Sequence, residues 1–127
     1  GGGSHFHYHV RIPGLILDFF PYWVSVKNSV VYFKPAIDEK NNDKKINLKL
    51  LSKFSSNNHD NICQVRDMNN EEILNAIKDF VNNYSNTKLI KKNYKQNIFH
   101  DKLPEWYFLK YDNNSIISDI FIENHWE

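Results

Sequence analysis

Cysteine is nearly absent from this chain: Cys63 is the single copy in 127 residues. That excludes an intrachain disulfide and a cysteine-based zinc cluster, and it suits a reducing compartment. Cys63 sits in the run Ile62-Cys63-Gln64-Val65, where a small buried side chain is the expected role. Glycine is equally scarce, with four copies, three of them at the very start. A glycine loop that cradles phosphate is therefore excluded. Long hydrophobic runs are missing too. The stretch IPGLILDFFPYWVSV, residues 12–26, is too short to span a membrane as a helix and is broken by Pro13, Asp18 and Pro21. No basic-then-apolar leader with a small-residue cleavage site is visible. The expectation is a cytoplasmic, soluble protein with no membrane partner and no cofactor.

Asparagine and lysine are abundant. Eighteen asparagines, and fourteen lysines against two arginines, are what an AT-rich genome produces, so the Asn-rich runs are read as loops and caps. Aromatic residues make up 15% of the chain, a large supply of area for a core or an interface. The opening GGGS, residues 1–4, has the look of a linker or tag remnant, which leaves residues 5–127 as a single α+β domain.

Periodicity divides that domain. Residues 5–11, HFHYHVR, alternate as a half-buried strand. Residues 22–26 and 30–33 read as a β-hairpin, Pro35 ends its second strand, and residues 36–45 read as an exposed loop. INLKLLSKF, residues 46–54, fits a strand slightly better than a helix, and residues 62–65 suggest one more short strand. The firmest element is a helix over residues 70–84. Asn69 and Glu72 form a capping pair, Met68 is placed to pack back on the first turn, and Ile73, Ile77, Phe80 and Tyr84 recur at helical spacing, widened by Leu74 and Val81. Residues 87–102 read as a short helix or crossover. EWYFLKY and SIISDIFIE, flanking Asp112-Asn113-Asn114, read as a C-terminal hairpin. The predicted fold is thus a mostly antiparallel sheet packed against one main amphipathic helix.

Four clusters bear on function. His5, His7 and His9 project from one face of their strand and could share a metal ion, although no carboxylate can be tied to them. His59, His100 and His125, with Lys102 or Arg66, are raw material for metal-independent RNA cleavage, His100 with Lys102 being the best pair. Asp18 with Asp38, Glu39 and Lys40 loosely fits a carboxylate nuclease pattern. Charge is the fourth: residues 87–102 hold five lysines and one aspartate, residues 103–127 five acids and one lysine, although the whole chain has a formal charge of only +1. In the basic segment Lys88, Lys91, Lys92 and Lys95 surround Tyr94, a mixture that suits single-stranded nucleic acid. In the acidic segment Asp119 and Glu123 share a strand face with Phe121, near Trp106, Tyr111 and Trp126, a mixture that suits a basic protein partner.

The leading expectation is a non-enzymatic interaction protein, in concrete form an inhibitor or immunity-type protein that docks on a basic partner through the acidic aromatic hairpin. A small RNA-binding or RNA-cleaving, toxin-like domain is the rival. An oligomeric assembly protein using the apolar run from Leu15 to Trp23 is the third reading.

Overall fold

The computed structural model describes residues 12–20, 22, 26–49, 64–105, 107 and 114–127. The strand expected at residues 5–11, with His5, His7 and His9, lies outside them, as do His59, Cys63, Trp106 and Tyr111.

Among the described residues the chain is a small α+β structure with two small sheets and three helices that lie wholly within them. β1 (Gly14–Phe19), β2 (Ser29–Phe33) and β6 (Ile116–Ile117) form one sheet in the order β1-β2-β6, with both pairs parallel. β3 (Ala36–Ile37), β4 (Asp43–Lys44) and β5 (Gln64–Val65) form an antiparallel second sheet in the order β4-β3-β5. The helices are α1 (Asn70–Asn83), α2 (Tyr94–Asp101) and α3 (Asp119–His125).

β2 explains the departure from an antiparallel sheet. Its sequence SVVYF is buried at every position, the unbroken apolar run of a parallel strand covered on both faces rather than the alternation of a hairpin arm. Both its edges are occupied, by β1 and β6; of the arm expected at residues 22–26, Tyr22 and Val26 are not in a strand and the rest lies outside the described residues. Tyr22 lies instead in the core, its hydroxyl donating to the Lys34 carbonyl at 2.6 Å. The residues expected as a loop at 36–45 form the β3–β4 hairpin. There Asp38 Oδ1 accepts from the backbone N–H groups of Lys40 and Asn42, and Asn41 takes a left-handed φ of 63°. Turn chemistry makes this hairpin; apolar alternation does not. Of the ambiguous 46–54 segment, Ile46 bridges to Trp126, and Leu48 and Lys49 are helical.

The second arm of the expected C-terminal hairpin is also corrected. After Ile117 the chain leaves the sheet and residues 119–125 wind into α3, because Ile120, Phe121 and Ile122 meet the core as a helix does, with Phe121 buried. Asp119 and Glu123, four residues apart on a helix, no longer share a strand face with Phe121.

α1 matches its expectation closely. Asn69 accepts from the Glu72 N–H at 2.8 Å and Glu72 accepts from the Asn69 N–H at 3.0 Å, a complete capping box. Met68 is buried. The inward face is Ile73, Ala76, Phe80 and Tyr84, whereas Leu74, Ile77 and Val81 are 51%, 40% and 54% exposed. The apolar stripe is wider than the surface that α1 covers.

Two packed clusters hold the whole. The larger joins β2, Ala36, Ile46, Ala76 and Phe121. The smaller, Val30, Tyr84, Ile90 and Ile116, lies at the other end of β2 and carries the basic segment.

Candidate functional site

The two ends of α1 each gather polar groups. At the N-terminal end Glu72 is a hub. Its Oε1 accepts from Arg66 Nη1 at 2.7 Å, and its Oε2 accepts from the Tyr32 hydroxyl at 3.1 Å and lies 2.9 Å from His125 Nε2. Arg66 in turn grips Asp43 through Nε at 2.6 Å and Nη2 at 2.8 Å. Burial by itself would push the Glu72 carboxyl up, but the Arg66 guanidinium, the Asn69 N–H and His125 outweigh it and hold it at about 2. Burial and the Glu72 charge together push the Tyr32 phenol well above its usual range.

This brings together Arg66 and His125, which sequence alone could not place. The cluster has the residue types of an RNA-cleaving site, but its side-chain exposures are 12% for Glu72 and 5% for His125. With four hydrogen bonds already on it, the Glu72 carboxylate ties strand, loop and two helices together and has no acceptor position left for a substrate. The two helices are α1 and α3; the strand is β2.

The C-terminal end of α1 is open. Asn83 and Tyr84 line a cleft of about 300 Å³ with Lys91, Lys92, Asn93 and Asp119. Its shape follows from how the basic segment is pinned. Asn28, buried at a left-handed φ of 48° just before β2, accepts from the Ile90 N–H through Oδ1 at 3.0 Å. Asparagine tolerates that conformation where most residues do not. With Ile90 held in the core, Lys88 and Leu89 on one side and Lys91 on the other turn outward, and Lys92 is half-buried. Asn93 then caps α2, accepting from the Gln96 N–H at 2.8 Å while Gln96 accepts from the Asn93 N–H at 3.0 Å. Gln96 is itself buried against Tyr84, whose hydroxyl lies 3.2 Å from its Nε2. Tyr94, the first residue of α2, is 79% exposed, and Lys95 beside it is exposed.

Asp119 closes the cleft from the start of α3. Its Oδ2 accepts from Asn93 Nδ2 at 2.7 Å. Burial raises its carboxyl, the Asn93 bond opposes that, and Asp79 and Glu123 add to the rise against Lys95. No ion pair engages Lys88, Lys91, Lys92 or Lys95 among the described residues.

The remaining candidates separate. Phe121 is buried and Trp126 packs edge-on against Phe99 at 4.9 Å, so of the acidic aromatic set within the described residues only Glu123 stands free on the surface. His100 is buried in α2 and Lys102 is exposed after it. Asp18, at a left-handed φ of 53°, pairs with Lys34 at 2.6 Å and accepts from the Met68 N–H at 2.9 Å, while Asp38 is engaged in its own turn. Among the described residues no three metal-ligating side chains converge, and no helix is long and apolar enough to cross a membrane. Sequence reasoning missed Asn93 and the hub role of Glu72. The spacing Asn93-x-x-Gln96 is a capping signal that could have placed the start of α2. No protein family matches this chain, and neither does any curated protein or solved structure.

Proposed function

We propose that this protein is a small binding domain for single-stranded nucleic acid, with the surface formed by Lys88, Lys91, Lys92, Tyr94 and Lys95 as its working face. The observation that carries this reading is the exposure of Tyr94 amid lysines that form no ion pair among the described residues. An aromatic ring exposed at the start of a helix offers a face for a base, and cations on both sides of it offer partners for phosphates. The loop is already ordered by Asn28 and Ile90, so little loop entropy opposes binding. The saturated Glu72 cluster fits binding better than cleavage.

The test is fluorescence anisotropy with a labelled single-stranded RNA across a salt series. Replacing Lys91 and Lys92 by glutamate should weaken binding on the order of a hundredfold at low salt and flatten the salt dependence. Tyr94→Ala should weaken it about tenfold with little change in that slope. Unchanged affinity in all these variants sinks the reading.

A protein partner is the second reading, favoured by the exposed stripe Leu74, Ile77 and Val81, spaced as one helix turn after another, with Glu71 and Lys78 exposed along its side. Its occupant is an amphipathic helix whose apolar face covers the stripe and whose lysines meet Glu71. A lysine-leucine helical peptide should shift amide resonances along 74–81, and Leu74→Ser with Val81→Ser should abolish the shifts. Shifts confined to other residues would count against it.

A further inference from the structure

The cleft at the C-terminal end of α1 combines three features. It holds two lysines that form no ion pair and a carboxylate with one oxygen still open, both among the described residues, and a volume of about 300 Å³. That volume is at the lower end of the range of roughly 300–1,000 Å³ found for small-ligand sites. The open oxygen matters most. Asn93 Nδ2 donates to Asp119 Oδ2, and no donor among the described residues bonds Oδ1, which leaves it to accept from a ligand donor. A carboxylate beside a bound phosphate repels it, and a ligand donor on the open oxygen offsets that repulsion.

We propose that this cleft is a nucleotide subsite for a base bearing an exocyclic amino group, with Asp119 accepting from that group and Lys91 and Lys92 holding the neighbouring phosphate. Adenine, cytosine and guanine present such a donor; uracil presents only its ring N–H between two carbonyls, which face the carboxylate unfavourably. The proposal rests on the nucleic-acid reading and adds base selectivity to it. Asp119 discriminates and the lysines bind.

The experiment compares short oligocytidylate with oligouridylate on the intact chain. The wild type should prefer oligocytidylate about tenfold. Asp119→Ala, checked for native circular dichroism, should lose that preference by weakening oligocytidylate binding alone. Should the alanine variant not fold, amide shifts on titrating the wild type with cytidine and uridine monophosphates give the answer: cytidine should move residues 91–93 and 119 and uridine should not. Equal affinity for the two oligonucleotides, or a preference that survives Asp119→Ala, overturns the subsite while leaving the lysine surface standing. So does a uniform gain in affinity on removing the charge, which would make Asp119 a mere repulsive neighbour. Absence of binding to either oligonucleotide instead overturns the nucleic-acid reading itself.

Discussion

The two ends of α1 hold comparable numbers of charged and amide groups and use them in opposite ways. At its start, Glu72 receives bonds from the guanidinium, phenol and backbone groups, pairs with His125, and is nearly enclosed. At its end, Lys91 and Lys92 form no ion pair among the described residues and line a cleft that reaches solvent. Residue type does not separate the two, since acids, amides and cations occur at both. What separates them is whether the polar valences are filled by the protein itself. Filled valences hold structure together; unfilled ones on an ordered frame are available to a ligand.

The sharpest way to break this comparison is at the filled end. Glu72→Ala removes the acceptor shared by Arg66, Tyr32 and His125 and half of the α1 capping box, and should lower stability by about 3 kcal/mol. Chemical denaturation measures this directly, and a loss below about 1 kcal/mol would mean the hub is incidental. Acid should do by degrees what the substitution does at once. The Glu72 carboxyl lies at about 2 in the fold against 4.5 for a free side chain. A depressed carboxylate stabilises the fold fully above its unfolded value, so the contribution is present at neutral pH and is lost as pH falls from about 4.5 towards 2. Partial solvent screening reduces it to the order of 1–2 kcal/mol. In Glu72→Ala that part of the acid dependence should vanish.

Legibility from sequence follows the same division. α1 was readable because its signals are local: a cap, a partner three residues on, and apolar spacing. The helix within 87–102 and the strand at Gln64–Val65 were readable for similar reasons. β2 misled because a fully buried parallel strand carries no alternation, and its partners lie at β1 and at Ile116–Ile117, far along the chain. The last segment misled because Ile116 to Glu123 alternates well enough for a strand, yet a helix places Phe121 in the core. The lysine surface was legible as a local run of charge and aromatics. Asp119 was read as part of an acidic face, and only the fold brings it to Lys91 and Lys92. The Glu72 hub joins residues from positions 32, 66, 72 and 125, a convergence that no local pattern records.

The smallest expected effect sharpens the comparison most, because it is an effect on stability where one on binding is large. Lys91 and Lys92 make no ion pair among the described residues, and the loop they sit on is held by Ile90 and Asn28, not by them. They add the weak attraction of cations near the end of a helix that has no basic residue in its own last turn. Replacing both by serine should therefore change stability by no more than about 0.5 kcal/mol, the usual range for surface sites. Thermal unfolding at low and high salt checks this, since any dipole contribution disappears as salt rises. A loss as large as that of Glu72→Ala would mean that the cleft lysines hold the fold together, and that the two ends of α1 are the same kind of site after all.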